Sequence, residues 1–327
     1  MSDEDLIVDA AIIALRKQME AKATTQLALF VDPWVTDPIG GMSEARPLER
    51  VELPLRVDGY PEDKRPYLLL VPDEIAHERF VNATVHAGVA ETLAGTADGG
   101  DGVGARSACA WIIGEVPVPV RFADTLTRFA TIRRPDRRRH PLRYWDPRVV
   151  PHLHRVLEPG HYATLRSAMG NWLFLDLAAR LVAPQPAVSP TGTEHATETT
   201  WHVSAGQWRR LSAIGLINQV LAQARGWGLH DGSQADIARL APQLETALHT
   251  AENLGYGTEQ DMLVFCACAL TVHPRFYTHP SVTNALEAGK RRGATLADAV
   301  SSFDDAFWAD VRAGRWLDSL LFSEANQ

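Results

Sequence analysis

A chain of 327 residues with 46% hydrophobic positions has the size and composition of a water-soluble globular protein of about two domains. Its formal net charge is −8, which excludes general binding to nucleic acid, because that requires a basic surface. Cys109, Cys266 and Cys268 are the only cysteines, too few and odd in number for a disulfide framework, and they fit a reducing compartment. The acidic start Ser2-Asp3-Glu4-Asp5 is unlike a signal peptide. The longest apolar run, 262–270, is about half of the roughly 18 residues that a membrane span needs. A cytoplasmic protein without a membrane anchor is expected.

Residues 5–21 predict a helix, with Leu6, Ala10, Ile13, Ala14 and Lys17 along one face. Leu27-Ala28-Leu29-Phe30-Val31 reads as a buried strand ended by Asp32-Pro33. A strand over 51–57 and a clearer one over 67–71, between Pro66 and Pro72, come next. A helix is expected over 73–93, with Ile75, Phe80, Val81 and Val85 apolar. The glycine-rich stretch 94–105 follows a helix and lacks both G-x-G-x-x-G spacing and a Walker lysine, so it reads as a surface connection and not a phosphate loop. Residues 107–114 predict a strand with Cys109 as a core residue.

Arg133, Arg134, Arg137, Arg138 and Arg139 surround Pro135-Asp136. This pattern fits a solvated hairpin tip between two strands, the preferred reading, or an anion- or nucleic-acid-binding patch. On an acidic protein such a tip also suits an acidic partner. A short strand is expected over 142–145. Asp146 then reads as a helix N-cap and Pro147 as the first helical residue, with Val149, Leu153, Val156 and Leu157 at helical spacing. Residues 151–181 read as helical, and His152 and His154, two apart, face different ways.

Residues 184–200, rich in Pro, Thr, Ser and Glu and containing a solvated His195, read as a linker. Three apolar stripes predict helices beyond it: Trp208 to Leu221, Ile237 to Leu248, and Leu296 to Val311. Residues 259–272 are apolar nearly all round and predict a central buried helix. Thr258 and Ser281 are the expected N-caps.

Catalytic chemistry finds little support. Cys266 and Cys268 lie about 200° apart on a helix, so their thiols diverge, and no third ligand completes a zinc set. No G-x-S-x-G, H-E-x-x-H or S-x-x-K pattern occurs. Asp146, between Arg143 and Arg148, has two readings: a catalytic carboxylate, or a structural cap held by arginine pairs. The structural reading is preferred, and no catalytic, cofactor or metal residue is assigned.

The stretch Arg143-Tyr144-Trp145-Asp146-Pro147-Arg148 resembles the R-(F/Y)-(Y/W)-D-P-R signature of the type VI secretion effector-adaptor domain, the Tap/TEC chaperone family. The segments Leu29 to Asp32, Pro66 to Val71 and Ala108 to Ile113 are similar to that family's strands and occur in its order, and the resemblance implies a helix over 118–127 and a strand over 129–133 after them. At the hairpin, Arg137 stands where the family has a glycine. Tyr256-Gly257, Asp261-Met262 and Phe276-Tyr277 with His279-Pro280 resemble the helical lobe often joined to the domain.

The resemblance implies an α+β protein: a mixed lobe over 1–183 with a small sheet flanked by helices, the linker 184–200, and an all-helical lobe over 201–327. It implies a non-enzymatic chaperone without cofactor, which holds a cognate secreted effector and loads it onto a VgrG-type spike protein, with the arginine-rich motif as a fold signature. The rival classes are a hydrolase with a dispersed site and a structural or regulatory component of the same machine.

Overall fold

The computed structural model describes residues 2–23, 26–34, 48–55, 60–71, 74–94, 106–114, 119–187 and 201–317. The glycine-rich stretch, His195 and most of the expected linker lie outside the described residues.

The N-terminal part is built on a six-stranded sheet in the order β2-β3-β1-β4-β7-β8. Its strands are β1 (Leu27–Val31), β2 (Glu49–Glu52), β3 (Tyr67–Val71), β4 (Ala108–Ile113), β7 (Trp172–Leu175) and β8 (Leu181–Val182), and every neighbouring pair is antiparallel. Leu29 sits opposite Leu69 on one side and Trp111 on the other. The central strands β1 and β4 are buried at every position. A strand covered on both faces needs no polar alternation, which is why these read as continuous apolar runs. Successive side chains still diverge. Leu27, Leu29 and Val31 enter one core with Val8, Leu15, Phe80 and Val85. Ala28 and Phe30 enter the other with Leu126, Tyr144, Trp145 and Leu165.

The first core is roofed by α1 (Asp3–Ala21) and α2 (Glu74–Ala94). α1 opens with a reciprocal capping box between Ser2 and Asp5. It buries Val8, Ala11, Ile12 and Leu15, not the expected face: Leu6 and Ile13 are 49% and 65% exposed. Apolar residues cover more than half of this helix, so periodicity alone does not select the inward side.

The second core is closed by α3 (Pro119–Phe129), α4 (Val150–Val156) and α5 (Pro159–Met169). Residues 151–181 are therefore not one helical stretch. Gly170, with φ +58°, ends α5, and Trp172-Leu173-Phe174-Leu175 continues the sheet as β7.

A smaller three-stranded sheet carries the arginine-rich hairpin. β5 (Thr131–Arg133) pairs antiparallel with β6 (Arg139–Pro141) and parallel with β9 (Trp201–His202). Phe129 belongs to the preceding helix and not to β5. β9 follows the expected linker in sequence, yet Trp201 and Val203 pack in the second core.

The remaining described residues are helical: α6 (Ala205–Gly226), α7 (Gln234–Asn253), α8 (Glu259–Thr271), α9 (Pro280–Arg292), α10 (Leu296–Val300) and α11 (Asp305–Ala313). They share a third core around Leu221, Leu244, Phe265 and Phe276. α8 fully buries Asp261, Phe265, Cys266 and Ala269, and Met262, Leu263, Val264 and Leu270 are partly buried against the same core. The last expected stripe is two helices, because Asp304 caps α11 anew. α9 is capped by His279, whose Nδ1 accepts from the Ser281 N–H, and not by Ser281.

Candidate functional site

The arginine-rich motif folds as a turn joining the hairpin to α4. The expected strand over 142–145 is not present as such: β6 ends at Pro141, and Leu142 adds one more hydrogen bond, to the Ala130 carbonyl at 2.9 Å. Asp146 caps this turn and not the helix. Its Oδ1 accepts from the Arg148 N–H at 2.9 Å, and its carbonyl accepts from Val149 and Val150 at 2.8 and 3.0 Å. A short carboxylate bonding two residues ahead is the local turn that Asp favours. The helix starts later, at Val150, with Val149 in the cap position and no side-chain cap, and the proline at its start is Pro151.

The motif's charges form a mostly buried network. Arg148 grips Asp146 with a fork, Nε to Oδ1 at 2.9 Å and Nη2 to Oδ2 at 2.7 Å. Arg143 lies 3.7 Å from Asp146, donates from Nε to Asp32 Oδ2 at 3.0 Å and forms an ion pair with it through Nη2 at 2.9 Å. The Trp145 indole N–H donates to the same Asp32 oxygen. Burial pushes the Asp146 carboxyl up, but Arg148 and Arg143 outweigh it and hold the group below its ordinary value. Such a carboxylate is a poor proton acceptor near neutral pH, so the arrangement favours holding charges in place over acid–base work. Behind the network lies Arg106, 6% exposed, with Nη2 at 3.4 Å from the Thr92 carbonyl and its guanidinium pushed down to about 10 by burial.

The aromatic members of the motif are core residues. Trp145 stacks on Phe30 at 5.4 Å between centroids, and the Tyr144 hydroxyl donates to the Leu126 carbonyl at 3.0 Å. Asp32, at the end of β1, is the residue that sequence reasoning left out of the site. It is 111 residues from Arg143, and no local pattern connects the two.

Beside the turn runs a groove of about 290 Å³ between the hairpin base and α6. Ile132, Leu142 and Val149 line one wall, Leu211, Ile214 and Gly215 the other, and Arg143 and Arg148 reach its edge. A Cβ placed on Gly215 meets nothing within 4 Å, so this wall is open.

The five hairpin arginines adjoin the groove in sequence, next to its lining residues Ile132 and His140. Arg137, Arg138 and Arg139 are exposed, and Arg133 and Arg134 are half-buried. Arg134 lies 4.5 Å over the Trp208 ring of α6. Arg134 and Arg138 contact Asp136 at 3.4 and 3.9 Å. The tip is a three-residue loop in which Arg137 takes φ +66°. This is the left-handed position that glycine usually fills in such hairpins.

On the opposite side of the turn, His152 is buried and joins α4 to α6. Its ring bonds Asn218 Oδ1 at 3.0 Å and Arg155 Nη2 at 3.1 Å, and Asn218 donates to the Arg148 carbonyl at 2.9 Å. His154 is a separate, half-buried group packed near Tyr162. Burial pushes the Cys266 and Cys268 thiols up to about 12 and 11, so neither is an activated nucleophile. Among the described residues, no three His, Cys, Asp or Glu side chains are placed to hold a metal, and no helix is long and apolar enough to cross a membrane. No family model, curated protein or solved structure matches the chain.

Proposed function

We propose that this chain is a non-catalytic adaptor of a type VI secretion machine, which binds a cognate secreted effector and a VgrG-type spike protein in the cytoplasm. In this reading an α+β lobe over 1–183 and a helical lobe over 201–327 present separate surfaces to the two partners. The observation that carries it is the meeting of the segments on which the resemblance rests. β1, β3 and β4 are neighbours in one sheet, and Asp32 at the end of β1 binds both Arg143 and Trp145 of the motif. A motif held by a buried ion network suits a rigid fold, and the arginine tip leaves a charged surface for docking. The test is a pull-down with the toxin and spike proteins encoded beside this gene, together with a secretion assay in a deletion strain. Retention of both partners and loss of toxin delivery are expected. Retention of neither, with normal delivery, overturns the proposal.

A further inference from the structure

We infer that the groove between the hairpin base and α6 receives a short peptide segment of a partner protein in which apolar side chains are flanked by carboxylates. This rests on the adaptor reading and adds the chemistry of the docking segment. The groove walls are aliphatic, with Ile132 and Leu142 facing Leu211 and Ile214 across about 290 Å³, small for a ligand pocket and suited to one or two apolar side chains. Arg143 and Arg148 reach the edge with 27% and 13% of their side chains exposed, paired there with Asp32 and Asp146, and the exposed arginines are Arg137, Arg138 and Arg139 of the adjoining hairpin.

Between Arg133 and Arg148 the chain holds seven arginines against two aspartates, and Asp32 adds a third carboxylate to the cluster, a local net charge of +4 on a chain of −8. All three carboxylates are already engaged: Asp32 by Arg143, Asp136 by Arg134 and Arg138, Asp146 by Arg148. Among the described residues the hairpin thus keeps an excess of positive charge, with Arg137, Arg138 and Arg139 exposed, and a segment carrying carboxylates on either side of its apolar anchor complements it. His140, at the groove edge, is pushed down by burial and by Arg134, so arginine supplies the charge. A nucleic acid fits less well. Among the described residues the groove has two aromatic rings, Trp208 and His140, packed against each other at 4.8 Å with Arg134 over Trp208, which leaves neither as an open platform for base stacking.

The test uses fluorescence anisotropy with the full chain and four labelled probes: a twelve-residue peptide alternating leucine and glutamate, the same peptide with lysine for glutamate, the same with serine for leucine, and a twelve-nucleotide oligothymidine. The leucine–glutamate peptide is expected to bind at least tenfold more tightly than the other three and to weaken as salt is raised. Gly215→Trp should weaken it at least tenfold with an unchanged circular dichroism spectrum. Ser212→Trp, exposed on the same helix wall, is the second variant should the first not fold.

No binding of the leucine–glutamate peptide at millimolar concentration, equal binding of the lysine peptide, tighter binding of the oligonucleotide, or indifference to both variants overturns the inference. Self-association of the protein that Gly215→Trp abolishes also overturns it, since the occupant is then a second copy. The two proposals separate in the pull-down. Partner retention that is indifferent to Gly215→Trp removes the groove and keeps the adaptor. Peptide binding without partner retention removes the adaptor and keeps the groove.

Discussion

His152 sets a pH dependence that can be worked from its surroundings. Arg155 Nη2 can only donate, so the ring Nδ1 at 3.1 Å must accept; Nε2 then carries the proton and gives it to Asn218 Oδ1 at 3.0 Å. Arg155 is itself held by Glu245 at 3.0 Å. A second proton on the ring would point at a guanidinium inside the core. Burial chiefly, then Arg155 and His154, push the imidazole from 6.5 down to about 4 against the opposing hydrogen bond of Asn218. The unfolded chain takes up this proton below about pH 6.5, while the folded chain refuses it until about pH 4. The contribution is therefore complete above pH 6.5, is lost as pH falls from 6.5 to 4, and stays lost below. Its full size is about 3 kcal/mol.

His152→Gln keeps a donor for Asn218 and an acceptor for Arg155 but does not titrate. Urea unfolding of both proteins at pH 7.5, 6.5, 5.5 and 4.5 isolates the effect. Burial raises the Glu91 and Asp176 carboxyls, which favours the folded state as pH falls, and those contributions cancel between the two proteins. The wild type should lose about 3 kcal/mol more than the variant across this range. Parallel curves would refute the buried, neutral ring.

Four further substitutions follow from the geometry. Asp146→Asn keeps the turn bond but strips the charge that pairs Arg148 and Arg143, and it should cost about 3–5 kcal/mol in denaturant unfolding; a loss below about 1 kcal/mol contradicts a buried pair. Arg137→Gly relieves a left-handed backbone and should add about 1 kcal/mol, read as a higher Tm. Gly215→Ala, on an open helix wall, should add about 1 kcal/mol and serves as the control for the bulkier groove variants. Gly289→Ala sets a Cβ 2.7 Å from the Ala299 Cβ, forcing α9 from α10 at a cost of about 1–3 kcal/mol.

Strands β1, β3 and β4 could be read from sequence because each is a short apolar run flanked by Pro, Asp or Gly, and such runs leave few alternatives. β7 was hidden by its neighbours. The two helices before it are dense in the same residue types, and only the positive φ of Gly170 separates them from the strand. Asp146-Pro147 matches the statistics of a helix start, yet a second proline, Pro151, occupies the first helical turn and moves the start downstream. The arginine pairing of Asp146 was within reach of sequence, since Arg143 and Arg148 are close along the chain. The part played by Asp32 was not, because a contact across 111 residues depends on how the sheet is ordered. The inward face of α1 was missed for another reason: with Leu6 and Ile13 as apolar as Val8 and Ile12, what lies beneath the helix decides.

The pairing of β9 with β5 fixes more than the edge of a small sheet. The Val203 N–H bonds the Arg133 carbonyl at 3.0 Å, and Ala205 begins α6 two residues later. The helix wall of the groove is thus stitched at one end to the strand that bears the arginine tip. At the other end Asn218 of α6 is tied to His152 and to the Arg148 carbonyl. A slot fastened at both ends behaves as a gauge of set width. In the docking inference above it would select side chains by their thickness, and spreading it would require breaking backbone or buried hydrogen bonds at one of its two fastenings.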